Sequence, residues 1–135
     1  MIICSLNLHN WTDLMVEISD DELRKDIRQF LEEFKALIYE KGLFVQDRQI
    51  NRQDLIELGL TAKQRAEIVL SLSVLDYSSG PIKDEYKPGD YWVFGKHIGE
   101  AEVYIKLKIA GQNGAEHAVC LSFHKSVRPL SHPFE

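Results

Sequence analysis

The sequence predicts an α+β fold in which N-terminal helices pack on a small antiparallel β-sheet. Three observations carry that reading. Apolar residues recur at helical spacing from Leu23 to Ile38, strict alternation of apolar and polar residues governs Glu102–Ile109, and the two regimes occupy opposite halves of 135 residues. A chain of this length suits one domain that buries its core without staples. It divides into an N-terminal arm at 1–18, a mainly helical region at 19–72, a sheet at 91–124 and an irregular tail at 125–135.

Residues 1–18 fit neither period and read as a strand or a loosely docked arm. From Ser19 the pattern clears. Ser19-Asp20-Asp21-Glu22 has capping-box spacing, and its acids favour the positive end of a helix dipole. Leu23, Ile27, Phe30, Leu31, Phe34, Leu37 and Ile38 then form one helical face, and Gly42 supplies the stop. Leu43-Phe44-Val45 is a short strand. Asn51 caps a second helix that ends at Leu58-Gly59, and Thr61-Ala62-Lys63-Gln64 opens a third with Ile68, Val69 and Leu72 on its buried side. Asp76 and Tyr77 close that helix. The Ser-, Gly-, Pro- and Asp-rich stretch from Ser78 to Asp90 reads as a loop. Three strands follow: Tyr91–Ile98, Ala101–Ala110 and Ala118–His124, joined at Gly99-Glu100 and around Asn113-Gly114.

Composition narrows the function classes. The net charge is −5, which argues against a general nucleic-acid coat. Residues 1–60 hold 7 Lys/Arg against 12 Asp/Glu, while residues 61–135 hold 9 of each, so a local cationic site fits only the C-terminal half. No apolar run reaches the roughly 20 residues that span a bilayer, and Met1–Leu8 lacks a basic leader. These features point to a cytoplasmic protein without a membrane partner. Cys4 and Cys120 read as packed thiols, and the five histidines show no metal-ligand spacing. His9, His117 and His132 read as surface residues.

Register turns the alternating strand into a candidate site. A two-residue loop at Gly99-Glu100 pairs Trp92, Phe94 and Ile98 with Leu107, Ile105 and Ala101 on the apolar face. Matching Val119, Leu121 and Phe123 to Ile109, Leu107 and Ile105 sets His124 opposite Tyr104, and Ser122 opposite Lys106. The wet face then carries Glu102, Tyr104, Lys106 and Lys108 in a row. Taken singly, each is an ordinary outward residue of a soluble sheet; their convergence with His124 is what suggests chemistry.

The stretch Leu58-Gly59-Leu60, the run Leu70-Ser71-Leu72 through Asp76-Tyr77, then Trp92, Val103-Tyr104-Ile105-Lys106 and Ser122-Phe123 resemble the MqsR (motility quorum-sensing regulator) toxins of bacterial type II toxin–antitoxin pairs. The resemblance spans roughly Leu55 to Lys125. It implies a RelE-like fold and a metal-independent mRNA endoribonuclease (mRNA interferase) that needs no cofactor. It also implies an antitoxin partner encoded alongside, combining a Cys-x-x-Cys zinc module with a helix-turn-helix. By position, Tyr104 matches the family's functional tyrosine and Lys106 its strand lysine, while His124 stands where a lysine follows Ser-Phe. Two functional positions differ: the lysine after the Asp-aromatic pair is Ser79 here, and the glutamine after the tryptophan is Val93.

RNA supplies its own nucleophile when its 2′-hydroxyl is deprotonated and aligned on the adjacent phosphate. A protein then needs a base, an acid for the leaving 5′-oxygen, and positive charge at the transition state. His124, Tyr104 and Lys106 are the expected catalytic set, with Glu102 as a reserve base and Ser122 as a neighbour. Lys96 and His97 are candidates for the missing cationic group; no metal ligand is expected. The rival readings are a non-catalytic module that keeps the toxin fold and binds an antitoxin-like partner, and a small-molecule or peptide binder with 78–90 as its lid. Oligomeric state has no sequence signature here.

Overall fold

The computed structural model describes residues 8–46 and 48–135, with backbone alone for residues 8–18 and 48. Three helices, α1 (Leu8–Lys41), α2 (Arg48–Leu58) and α3 (Ala62–Leu70), accompany five strands: β1 (Leu43–Val45), β2 (Tyr77–Lys83), β3 (Asp90–Ile98), β4 (Ala101–Ala110) and β5 (His117–Lys125). The strands form one sheet in the order β1-β5-β4-β3-β2. The architecture is α+β, and the helices lie on one face of the sheet.

The apolar face of α1 explains the core. Ile27, Phe30, Leu31, Phe34 and Ile38 are buried, and the Phe30 ring stacks on Trp92 of β3 at 5.0 Å between centroids. From the sheet, Phe94, Val103, Ile105, Leu107, Cys120 and Phe123 complete the cluster. Each such side chain contributes roughly 1.5–3 kcal/mol through burial, far more than any single surface contact.

Several boundaries differ from expectation. The long helix begins at Leu8, so Ser19 lies inside it and does not cap it; the apolar residues from Leu8 to Ile18 are on the same helix, not on a strand. Residues 1–7, with Cys4, lie outside the described residues, as does the His9 side chain. Asn51 is likewise within α2, not at its cap, and its side-chain amide donates back to the Gln46 carbonyl. By contrast, Thr61 caps α3 with the full reciprocal box through Gln64.

The sheet is mixed, not purely antiparallel. β1 pairs parallel to β5, Leu43 beside Ala118 and Val45 beside Cys120. No hairpin turn ties β1 to a neighbour; its direction follows from where α1 delivers the chain through Gly42, whose φ of +86° suits glycine. The second difference is β2. Its Ser-Ser-Gly-Pro content resembles a loop, yet it pairs with β3 from Tyr77 to Lys83 with two register shifts. An edge strand with irregular pairing tolerates proline, because one side of its backbone has no ladder to feed. Only residues 84–89 remain as loop. Asp76 and Tyr77 do not close α3: Asp76 ends a short 3-10 turn and Tyr77 begins β2.

After β5 the tail is irregular but docked. It crosses the outer face of the sheet, the one away from the helices. Leu130 N–H donates to Glu102 Oε1 at 2.7 Å and His132 Nε2 sits 2.9 Å from Glu102 Oε2. Phe134 then packs on Tyr77, 5.7 Å between centroids, with the Arg24 guanidinium 4.6 Å above its ring. His132 is therefore a partly buried hydrogen-bond partner of Glu102, not a surface residue. His117 is half-buried, its ring 4.6 Å edge-on to Phe44. Among the described residues, no helix is long and apolar enough to cross a membrane.

Candidate functional site

Two cross-strand rows define the outer face. Tight closure at Gly99-Glu100 pairs Val93 with Lys106 and Gly95 with Tyr104 across β3 and β4. Across β4 and β5, Tyr104 faces His124 and Lys106 faces Ser122. On the far side, Ser79 of β2 pairs with Val93. One row thus runs Ser79, Val93, Lys106, Ser122, and the adjacent row runs Gly95, Tyr104, His124.

The expected register holds at these positions and fails just beyond them. A shift between Lys106 and Leu107 sets Cys120, not Leu121, opposite Leu107, and Val119 opposite Lys108. This bulge sends Cys120 and Ala118 into the core, where both are wholly buried, and leaves Leu121 as the extra residue. Cys120 is a free thiol, and burial pushes it up to about 12, so it is inert at neutral pH.

Tyr104 and His124 stack, 5.1 Å between centroids at 15°. His124 Nδ1 lies 2.8 Å from the Lys125 carbonyl oxygen. A carbonyl only accepts, so Nδ1 carries a proton and Nε2 is the nitrogen left to exchange one. Burial, and then the nearby Tyr91 phenol, raise the Tyr104 pKa above its ordinary value. Tyr104 is therefore a hydrogen-bond donor at neutral pH, not a base.

Lys106 extends along the same face, its Nζ 4.0 Å from the centre of the Tyr91 ring. With Tyr91, Tyr86, Lys83, Lys87 and Ser122 it lines a cleft of about 390 Å³ under the 84–89 loop. Asp84, bonded to Lys108, and Glu85 also line it, so three amines face two carboxylates; the amines and aromatic rings together suit a phosphate with a base attached. Tyr91, Lys83 and Lys87 are the part that sequence reasoning missed, although Tyr91 lies two positions before Val93 on the same face of β3.

The other expected residues fall away from this centre. Lys108 is not on the wet face: it is 3% exposed, closed over by the loop, and its Nζ bonds Asp84 Oδ2 at 2.7 Å. Glu102 is not a spare base, because its oxygens are occupied by Leu130 and His132. Burial alone would raise the Glu102 pKa; the bonds from Leu130 N–H and His132 outweigh that and leave it lowered. Exposed His97 joins the same group, 3.4 Å from Glu102 Oε2. Lys96 is on the helix-side face, 3.5 Å from Asp76 and 3.4 Å from the Ser71 carbonyl oxygen. It cannot share a substrate with His124 across the sheet.

The arrangement therefore offers an imidazole nitrogen, a phenolic donor and an ammonium on adjacent rows, with an aromatic cleft of mixed charge beside them. Among the described residues no cluster of three His, Cys, Asp or Glu side chains is placed to hold a metal ion. No family model, curated protein or solved structure gives a significant match to this chain.

Proposed function

We propose that the chain is a metal-independent endoribonuclease of the MqsR toxin type, built on a RelE-like fold and restrained by an antitoxin partner. The observation that carries the proposal is the Tyr104–His124 stack with Lys106 one row away. Further support comes from the two departing positions. Ser79 and Val93, where the resemblance expects a lysine and a glutamine, share the row of Lys106 and Ser122. Residues far apart in sequence thus share one row of the sheet, which supports the reading.

In this reading His124 Nε2 takes the proton of a 2′-hydroxyl, and the oxygen attacks the adjacent phosphorus. Lys106 offsets the charge that gathers on the phosphoryl oxygens. The leaving 5′-oxygen receives a proton from the Tyr104 phenol, which is restored from the imidazolium beside it. The products are a 2′,3′-cyclic phosphate and a 5′-hydroxyl, with atoms and charge balanced. The test is incubation of the purified, antitoxin-free chain with single-stranded RNA in EDTA, followed by end-group analysis. Intact RNA, together with unslowed growth on expression in bacteria, would refute the proposal.

A second reading is favoured by one observation. Val93 is an apolar residue at the centre of the outer face and is 3% exposed, where a catalytic row would profit from a polar side chain. A non-catalytic module that retains the toxin fold and binds an antitoxin-like partner would tolerate it. Growth inhibition that survives His124→Ala favours this module over the enzyme.

A further inference from the structure

At the β1 edge of the sheet, away from the Tyr104–His124 stack, a cleft of about 620 Å³ opens between β1, α2 and α3. That size is ordinary for a site that takes a small organic ligand. Its apolar walls include Leu43, Leu55 and Leu60, and its charged lining is Lys41, Arg52 and Arg65, with no carboxylate among the described residues. Neither arginine has an ion-pair partner among the described residues. Lys41 spends two donors on the carbonyl oxygens of Glu116 and Gly114, at 2.9 and 3.3 Å, and keeps a third.

Arg65 is the sharpest signal. It is 8% exposed, and its Nε is buried without an acceptor. A guanidinium stays charged at any relevant pH, and burying it unpaired is costly. The Cys120 thiol near it is protonated at neutral pH and supplies no countercharge. An anion entering the cleft would supply one.

We propose that this cleft binds a small organic oxyanion, a carboxylate or phosphate monoester carried on an apolar body. The head group lies between Arg65 and Arg52, where a planar guanidinium offers paired donors. The body lies against Leu43, Leu55 and Leu60. This site is separate from the ribonuclease reading and stands or falls without it.

The test uses the full chain, isotope-labelled and titrated with four probes at constant ionic strength: phenyl phosphate, 3-phenylpropionate, inorganic phosphate and the neutral 3-phenylpropanol. The expected result is saturable shifts of the Leu43, Leu60 and Ala62 amides with the two aromatic anions, and weaker binding of inorganic phosphate. Whichever aromatic anion binds more tightly identifies the head group. Arg52→Gln should weaken that anion by about tenfold, as the loss of one charge-assisted contact implies; Arg65→Gln should do the same or more. Arg52 is exposed, so its replacement leaves a folded protein even where that of Arg65 does not. Equal binding of the neutral alcohol, no binding of either aromatic anion, or an unchanged affinity in Arg52→Gln overturns the proposal.

Discussion

His124 lies across the β4–β5 ladder from Tyr104 with the two rings stacked, and a bond from its Nδ1 to the Lys125 carbonyl fixes which nitrogen is free. The pair can be separated by mutation. Because His124 is proposed to supply the proton acceptor, His124→Ala should lower RNA cleavage roughly 10²–10⁴-fold. Tyr104→Phe keeps the stacked ring and loses only the hydroxyl, the proposed proton donor, so a drop of roughly 10²-fold or more is expected. Single-turnover rates on a short RNA in EDTA check both. A Tyr104→Phe variant that cleaves at the full rate would contradict the phenol's role as the acid.

Lys106 holds its charge over the Tyr91 ring at the mouth of the cleft. Lys106→Met should reduce the cleavage rate on the order of 10²–10³-fold, as for loss of one group that stabilises transition-state charge. Tyr91→Leu removes a cation–π contact of about 0.5–1 kcal/mol and a stacking surface, so it should act more on RNA affinity than on rate. Fluorescence anisotropy with a non-cleavable 2′-deoxy substrate separates the two. An unchanged affinity in Tyr91→Leu would remove the cleft from substrate binding.

The centre of this site is legible in the sequence for a physical reason. A strand has period two, so once Gly99-Glu100 is recognised as a tight turn, burial of Trp92, Phe94, Ile105 and Leu107 fixes which side chains meet outside. The pairs Tyr104–His124 and Lys106–Ser122 follow from a second match across β4 and β5, of Phe123 to Ile105, which holds although the match of Leu121 to Leu107 does not. What the pattern does not encode is tertiary cover. Lys108 has the same alternation as Lys106, yet the 84–89 loop closes over it and Asp84 neutralises it. Glu102 likewise looks free until the tail returns to it. The edge strand β2 is hidden by Ser-Ser-Gly-Pro chemistry that also makes turns, and the parallel placement of β1 rests on no local signal.

Asp84 ties the 84–89 loop to β4 through Lys108. The Lys108 hydrogen bond first, with support from the Tyr86 and Lys87 N–H groups, holds its carboxyl well below 3.8, down to about 2. A carboxyl depressed in the folded state stabilises that state above its unfolded pKa and loses the contribution as pH falls through the folded one. Loop closure should therefore be intact above about pH 4 and fail progressively toward pH 2. Asp84→Asn should show the loosened loop already at neutral pH and a lower urea midpoint. Adding Lys108→Met, which removes the stranded buried charge, should restore part of it. Equal midpoints for Asp84→Asn and the unmodified chain across pH 2–7 would count against the coupling.

Gly95 is where the tail meets the sheet. A Cβ there would lie 2.5 Å from Leu130 Cδ1 and 3.0 Å from His132 Cε1, so one methyl group must push the tail aside. Both neighbours are side-chain ends, and the strand beneath them can stay in place. Gly95→Ala should thus free the tail without unfolding the sheet, at a cost of about 1–3 kcal/mol for overpacking. Glu102→Gln should loosen it by another route: the amide oxygen still accepts from Leu130 N–H, but the charge that holds His132 is lost. Faster hydrogen exchange at the Leu130 amide, with unchanged protection at Ile105, is the expected signature of both. Global loss of protection in Gly95→Ala would show instead that the tail is integral to the sheet. If the tail does come away, the face beside Tyr104 becomes more open, and the RNA cleavage rate of the same two variants measures whether that cover restrains the site.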